Sequence, residues 1–562
     1  MFLLSQGVLG ISTSVAGSGY HLFWTMECPG WKCRYQIAYI VSIIISISYP
    51  VTQGANILVV PAEGSHWVNM RILMEELKVH GHNNTVFYFS TFWYAEEMPD
   101  LYRSIVIQLQ GDVGKTTSQT ISQDFIQKSM NVLQNGSTLL SFIKHQYKLM
   151  TTVHIAHTYL QNLIHAAFQN KSLLNELGNA HFDMIIADPV FPVGPMLAYY
   201  LKLPLVYNVR WLTDGEAHFL SAPSPLSYVP VLGSKLTDKM SFLQRTKNFI
   251  LYFLQTSVTG FIFHPMYNEL CHRYLGPDTD IETLLLRADV WLMRVDFIFE
   301  FPRPTMPNIV YIGGFQCKPP KPLEAEFEEF VQSSGEHGVI VMSMGTIVSS
   351  LPMHVTMQIA EAFAQLPQKV IWRHNGETPP NIGNNTLLAK WIPQTDLLGH
   401  PKTRAFIAHG GTNGLYEAIY HGVPVVGIPL FYDQFDNLLR LEVRGAAKVM
   451  NIATMQSTDL LQAINEVIYN TSYRENMQKL SALHRDQPES PMERAIFWIE
   501  YVARHKGAAH LRSESYRLPW YVYYCVDVMI FLVSLFLMGT VVTVLLLRNL
   551  CYISRKEKQK TQ

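Results

Sequence analysis

The chain has 562 residues, 48% hydrophobic and 15% charged, with a formal net charge of −1. That length exceeds one ordinary domain and leaves room for two or three units, each with an ample core. The near-neutral balance gives no reason to propose nucleic acid as a partner, and six cysteines are few for a disulfide-built secreted scaffold.

In chain order, Lys32 and Arg34 precede an apolar run at 37–47, and small and polar residues follow to Gly54. This pattern predicts a secretory leader over 1–54, cleaved near Gly54-Ala55. About eleven apolar residues are short for a membrane span. A charged stretch normally opens such a leader, so Met1 and Met26 both stand as candidate starts.

Residues 56–61 (NILVVP) read as a buried strand, 62–66 as a turn, 67–80 as a helix and 85–89 as the next strand. Strand–helix–strand predicts parallel pairing with a right-handed crossover. The same grammar recurs at 182–187 (FDMIIA), 194–201 and 204–208, with Asp188-Pro189 at the first strand's end. Residues 100–175 read as mainly helix and loop. The run at 249–263 is mostly apolar, interrupted by Gln255, and too short to span comfortably. It reads first as a core helix and second as a membrane-surface contact. Cys271 and Cys317 are the cysteines of the body, either paired or free, and no CxxC or His/Cys cluster predicts a metal.

Pro319, Pro320 and Pro322, with Lys318 and Lys321, read as a linker. A second doubly wound unit begins here, with strands at 338–342, 369–372 and 387–389, a turn at 343–346, a helix at 357–366 and a turn at 391–394. Residues 406–437, FIAHGGTNGLYEAIYHGVPVVGIPLFYDQFDN, then read as strand, glycine turn, helix, strand and an acid-amide pair. The glycines let backbone approach a ligand closely. The turn feeds a helix N-terminus, where free N–H groups favour a phosphate. Asp433-Gln434 falls beyond a strand end, where α/β folds place ligands.

Residues 528–547 carry no charge and are long enough to cross a bilayer. Trp520, Tyr521, Tyr523 and Tyr524 form an aromatic belt before them; Arg548, Arg555, Lys556, Lys558 and Lys560 follow, predicting a cytosolic tail. Five Asn-x-Ser/Thr sequons, at Asn83, Asn135, Asn170, Asn384 and Asn470, are candidate N-glycosylation sites.

The spacing of His409, Gly410, Glu417, Pro424, Pro429, Asp433 and Gln434 resembles the signature of the UDP-glycosyltransferases, with Ala408 where that family usually has Thr or Ser. Gly64-Ser65-His66-Trp67 after the first strand resembles the catalytic histidine motif of the UDP-glucuronosyltransferases. Alone, His66 would read as a loop histidine and Asp188 as a turn or cap. The resemblance covers nearly the whole chain and implies an α/β GT-B fold, two Rossmann-like domains facing a cleft, plus a C-terminal transmembrane helix. The implied divisions are an acceptor-binding domain at 55–313, a donor domain at 314–518, the belt and span at 519–547, and a basic tail at 548–562.

By resemblance, His66 deprotonates the acceptor, and Asp188 orients and supports it. Trp391 stacks on uracil with Gln394 near the uridine, and Glu417 grips the ribose. Ser343, Gly345 and Thr346 form one phosphate loop; His409, Gly410, Asn413 and Gly414 form the other. Arg373 lies near base or phosphates. Asp433 and Gln434 bind sugar hydroxyls, and Arg294 reads a sugar carboxylate, as an arginine can. Tyr432 and Phe435 depart from the mammalian Ala and Pro.

The implied reaction is inverting transfer of glucuronic acid from UDP-glucuronate, a co-substrate, to a small lipophilic acceptor. No metal or other cofactor is expected. The implied place is the endoplasmic reticulum membrane, with a luminal body and a retrieval-like Lys558/Lys560 tail; homo- or hetero-oligomers are allowed. The alternatives are a transferase of UDP-glucose or another UDP-hexose, and a non-catalytic lipophile-binding or regulatory subunit. The acceptor is not legible.

Overall fold

The computed structural model describes residues 54–560, apart from 93–96, 110–119, 122–123, 125–127, 129–138, 213–214, 347 and 349–350. The leader up to residue 53, the two candidate starts and the Asn135 sequon lie outside the described residues.

Among the described residues, nine strands belong to the first half of the chain: β1 (Asn56–Val60), β2 (Asn83–Phe89), β3 (Tyr102–Ile107), β4 (Met184–Ala187), β5 (Leu205–Val209), the short β6 (Trp211–Leu212) and β7 (Gly215–Glu216), β8 (Val290–Met293) and β9 (Ile309–Tyr311). Seven form one sheet in the order β3-β2-β1-β4-β5-β8-β9, while β6 and β7 pair antiparallel by themselves. The second half supplies β10 (Val339–Ser343), β11 (Lys369–Arg373), β12 (Thr386–Ala389), β13 (Thr403–Ala408), β14 (Val425–Gly427) and β15 (Ala447–Val449), ordered β12-β11-β10-β13-β14-β15. Every pairing within the two large sheets is parallel.

The central strands are continuous apolar runs because helices cover both faces of a parallel sheet. Along β1, Leu58 and Val60 enter the core on one face, and Ile57 and Val59 enter the core on the other. In β10, Ile340 and Met342 oppose Val339 and Val341 in the same way. β3 is a strand within 100–175, where helix and loop are expected. Its YRSIVI alternates between buried and more open positions as an edge strand does, so it lacks the dense apolar signal of β1 or β4.

In each sheet the strand order reverses once, between β1 and β4 and between β10 and β13. Such switch points leave a crevice beyond the strands' carboxyl ends. Val60 pairs with Ala187, so the loops bearing His66 and Asp188 emerge side by side. Ser343 pairs with Ala408, so the two glycine turns of the second half also emerge together.

The chain returns to its first sheet at the end. Helix Pro491–His505 begins at a capping box between Ser490 and Glu493. It buries Ala495, Ile496, Ile499 and Val502 in the same core as β1 and the helix Ser65–Val79. Buried polar groups also join the halves. Glu300 is held between Arg210 at 2.9 Å and Arg440 at 2.8 Å, and Asp296 meets Tyr416 and His484.

The helix over Phe242–Val258 is not the core helix expected of 249–263. It has one buried residue, Asn248, and it runs through a π-helical turn at Thr259–Phe263 into the helix His264–Leu275. Helix Val526–Lys560 is exposed throughout 527–556, and its apolar part is long enough to cross a membrane. Cys271 and Cys317 carry free thiols. Asn83, Asn170, Asn384 and Asn470 are all exposed.

Candidate active site

A cleft of about 490 Å³ lies between the two halves. Every proposed site residue except Asp188 and Gly410 lines it. Asp188 bonds to His66 without lining the cleft, and Gly410, within the second glycine turn, packs instead against Leu438 and the Gln434 carbonyl, which a Cβ there would meet at 2.9 and 2.8 Å.

On the first wall, Gly64 turns the chain at φ 70° and the helix Ser65–Val79 starts with His66 in its first turn. His66 Nδ1 lies 2.6 Å from Asp188 Oδ2. Arg294 Nη1 is 3.5 Å from the same oxygen, and Arg294 Nη2 is 3.1 Å from His66 Nδ1. The short carboxylate contact assigns the proton to Nδ1, so Arg294 and Nδ1–H lie side by side as two donors, both directed at Asp188 Oδ2. Asp188 Oδ1 accepts from the Val190 N–H at 3.0 Å. Burial alone would raise the Asp188 carboxyl, but His66, Arg294 and the Val190 N–H outweigh it and hold the group below its usual range. A buried, ionised Asp188 thus fixes the tautomer that leaves Nε2 unprotonated.

Two residues of this wall escape a reading of the sequence. Asn69, one turn beyond His66, donates from Nδ2 to Asn413 Oδ1 across the cleft at 3.2 Å. Arg210 follows β5, donates to Asn437 Oδ1 at 2.8 Å, and lies 3.7 Å from Asp433. Its position just past a strand end is the signal available for it. Glu63, in the turn before His66, has both carboxyl oxygens buried with no hydrogen-bond partner, and burial pushes it up to about 8.

On the opposite wall, helix Thr412–His421 starts at Gly411 with no side-chain cap, so its first N–H groups face the cleft unclaimed by a capping side chain. The His409 ring lies between the two glycine turns. A Cβ on Gly345 would sit 2.6 Å from it, and one on Gly411 2.5 Å. Gly345 also has φ +79°, so its turn requires glycine twice over. Burial, aided by Arg373, pushes His409 down to about 4, leaving a neutral imidazole whose buried Nδ1 has no partner.

Arg373 donates to the Gly345 carbonyl, and its guanidinium stacks 4.8 Å over the Trp391 ring. Trp391 keeps 64% of its surface exposed although it is a large aromatic, which leaves a flat apolar platform beside the cleft. Glu417 accepts from Gln394 Nε2 at 2.5 Å and Thr395 Oγ1 at 3.0 Å. Burial raises its carboxyl despite those two donors.

Asp433 accepts from Asn437 Nδ2 at 2.7 Å; burial raises its carboxyl against the opposing pull of Arg210 and Asn437. Gln434 Oε1 accepts the Leu430 and Phe431 N–H groups, so only its amide nitrogen remains for a ligand. Tyr432, ahead of them, has φ 55°, an uncommon backbone state for a bulky residue. Its ring meets Trp211 edge-on at 5.2 Å, closing one side of the cleft across the halves. Phe435 carries Lys235 Nζ 3.9 Å from its ring centre. Among the described residues, no group of three or more His, Cys, Asp or Glu could hold a metal ion.

The profile of the family described as UDP-glucoronosyl and UDP-glucosyl transferase matches residues 55–561. The chain belongs to this family. UDP-glucuronosyltransferase 2A1 of Rattus norvegicus is 43% identical over 487 residues, covering 86% of this chain and 91% of the relative. UDP-glucuronosyltransferase 2C1 of Oryctolagus cuniculus is 44% identical over 492 residues, covering 87% and 95%. UDP-glucuronosyltransferase 2A2 of Homo sapiens is 43% identical over 487 residues, covering 86% and 89%. The fold of this UDP-glycosyltransferase family member is GT-B. The glycotransferase of kitacinnamycin matches it with a TM-score of 0.54 at 16% identity, over 80% of this chain and 99% of that one. Spinosyn forosaminyltransferase SpnP matches at 0.53 and 14%, over 80% and 99%.

Proposed function

We propose that this UDP-glycosyltransferase transfers glucuronic acid from UDP-glucuronate to a hydroxyl of a small lipophilic acceptor, with inversion. The observation that carries the reading is the His66–Asp188 pair at 2.6 Å, facing an uncapped helix N-terminus across one cleft. The glucuronosyltransferase names of the 40–44% identical relatives support glucuronate as the sugar.

In the proposed step, His66 Nε2 takes the acceptor hydroxyl proton as the oxygen attacks the anomeric carbon. The bond from that carbon to the diphosphate oxygen breaks, and UDP leaves with the electron pair. Asp188 stabilises the imidazolium that forms. The helix N-terminus at Thr412, the Ser343–Thr346 turn and the neutral His409 receive the diphosphate charge, with Arg373 behind them. Trp391 stacks on uracil beside Gln394, and Glu417 takes the ribose hydroxyls. Asp433 and the amide nitrogen of Gln434 hold sugar hydroxyls. Arg294, already committed to Asp188, is proposed to face the sugar carboxylate as well.

The division into an acceptor half at 55–313 and a donor half at 314–518 belongs to the same proposal, with Pro491–His505 serving the first half's packing. So do a luminal body in the endoplasmic reticulum, a single span and a cytosolic Lys558/Lys560 tail. The test is transfer by the full chain in membranes, with UDP-glucuronate and UDP-glucose competing and the conjugates read by mass. A glucuronide product supports the proposal; equal or better use of UDP-glucose refutes the sugar choice. Absence of UDP binding would favour a lipophile-binding protein.

A further inference from the structure

Arg210 sits just beyond the carboxyl end of β5 in the first half, is buried, and lines the cleft. Its guanidinium is divided between two partners. Nη1 donates to Glu300 Oε1 at 2.9 Å, and Nη2 donates to Asn437 Oδ1 at 2.8 Å. Glu300 is also held by Arg440 of the second half at 2.8 Å, so a brace between the halves stands there without Arg210.

The contact with Asn437 reaches further. Asn437 is fully buried, and both ends of its amide are engaged. Oδ1 accepts from Arg210 and, at 3.4 Å, from Arg440 Nη1. Nδ2 donates to Asp433 Oδ2 at 2.7 Å and to the Gly410 carbonyl at 2.9 Å. An amide carries its acceptor on one side and its donors on the other. Turned over, it would set N–H against the two arginines, and oxygen against the Asp433 carboxylate and the Gly410 carbonyl. The short bond from Arg210, with the longer one from Arg440, thus holds the amide in the orientation that gives Asp433 a donor.

Arg210 also acts on Asp433 directly. Its Nε lies 3.7 Å from Asp433 Oδ2, too far for a hydrogen bond but close for a charge contact, and that buried nitrogen has no hydrogen-bond partner. Burial raises the Asp433 carboxyl, and Arg210 leads the groups that oppose the rise, ahead of Asn437 and Arg440. Asp433 belongs to the second half, yet a counter-charge and the setting of its partner amide come from the first. The groups proposed for the uridine and diphosphate, among them Trp391, Glu417, Ser343 and His409, all stand on the second half.

We infer that Arg210 is a positioning residue for the donor sugar. Through the Asn437 amide and its own charge it holds Asp433 in place for a sugar hydroxyl, so the sugar subsite is complete only while the first half is docked on the second. UDP itself needs no such docking. The inference rests on reading Asp433 as a ligand of sugar hydroxyls in the proposed transfer. It adds a first-half residue that separates recognition of the sugar from recognition of UDP.

The test is calorimetric binding to the full chain in detergent micelles. The ligands are UDP and whichever of UDP-glucuronate and UDP-glucose the parent binds more tightly, so the choice of sugar does not decide the result. The proteins are the parent, Arg210→Met, Arg210→Lys, Asp433→Asn, and each Arg210 variant combined with Asp433→Asn. The quantity read is the ratio of UDP-sugar affinity to UDP affinity, relative to the parent. Arg210→Met is expected to lower it about tenfold, the worth of a charge-assisted hydrogen bond. UDP affinity should stay within about threefold of the parent, because the Gly410 turn also packs on Leu438. Arg210→Lys keeps the charge but not the two-armed fork, and should fall between. Beside Asp433→Asn, either change should lower the ratio by less than about twofold, since an arginine acting through Asp433 has nothing left to act on. A ratio within about threefold of the parent in Arg210→Met, with Asp433→Asn lowering it further, overturns the inference and leaves Asp433 as a sugar ligand. Equal loss of both ligands, or losses that add across the pair, make Arg210 a brace and overturn it as well. An unchanged ratio in Asp433→Asn refutes the sugar reading itself, and the inference with it. Should Arg210→Met fail to fold, Arg210→Lys decides by the same cycle. A fall of at least about twofold that vanishes beside Asp433→Asn supports the inference, and any other result overturns it.

Discussion

Asp188→Asn is the sharpest perturbation of the proposed dyad because it preserves shape while removing one acceptor. The carboxylate receives three donors: His66 Nδ1–H, the Val190 N–H and Arg294. An amide offers one oxygen. If that oxygen faces Val190, the amide NH2 faces His66 Nδ1 and forces the imidazole proton onto Nε2, where the acceptor needs a base. If the oxygen faces His66, an N–H opposes the Val190 N–H, and Arg294 loses its counter-charge in a buried site. Either arrangement removes most general-base catalysis, which contributes about 10²–10⁴-fold, or about 3–5 kcal/mol of barrier. The assay is kcat at saturating donor and acceptor, with UDP affinity measured by calorimetry on the same preparation. The expected result is a kcat loss of at least about 100-fold with UDP affinity within about twofold of the parent. A variant that keeps kcat within about tenfold of the parent refutes the dyad.

Other outcomes follow from the donor wall and the buried acid. Trp391→Ala should weaken UDP binding by about 1–3 kcal/mol, the worth of one base stacked on an aromatic ring, read by calorimetry. Arg294→Ala should lower kcat/KM for UDP-glucuronate by roughly 100-fold, the size of a lost charged hydrogen bond, and by clearly less for UDP-glucose. An equal fall with both donors would confine Arg294 to its Asp188 contact. Glu63 sits near 8 when folded and near 4.5 when unfolded, so between those values the folded state binds the extra proton. Its contribution is therefore lost as pH rises from 4.5 and levels off above about 8. At pH 7 the penalty is about 3 kcal/mol. Glu63→Gln should gain stability over the parent between about pH 6 and 8, with the difference shrinking toward pH 4.5 in thermal melts.

The parts of the site that are legible in the sequence stand at strand ends. His66, Asp188, Ser343 and His409 each follow a dense apolar run, and parallel sheets force such runs into view. Arg210 follows the equally dense β5, yet nothing in its immediate neighbours marks it. Its importance comes from Asn437 and Asp433, over two hundred positions away. The same limit hides the Gln434 carbonyl's commitment to Leu430 and Phe431, which depends on how the turn closes. β3 is hard to see because an edge strand alternates without a strong apolar run. The run at 249–263 invites a core reading because it is mostly apolar, and apolar content alone does not say that Phe249, Ile250, Phe253 and Leu254 stay about half exposed. The return of Pro491–His505 to the first sheet is a contact between chain ends that no local pattern encodes.

The claim on which the rest depends is sugar transfer from UDP-glucuronate by this cleft. The direct measurement is a single reaction of the membrane-bound full chain with equimolar UDP-glucuronate and UDP-glucose and a panel of phenols and lipophilic alcohols. Conjugates are read by mass, and the anomeric configuration by proton coupling. The account predicts β-linked glucuronides that disappear in the Asp188→Asn variant. Hexosides in equal or greater amount, or glucuronides that persist in that variant, would contradict it.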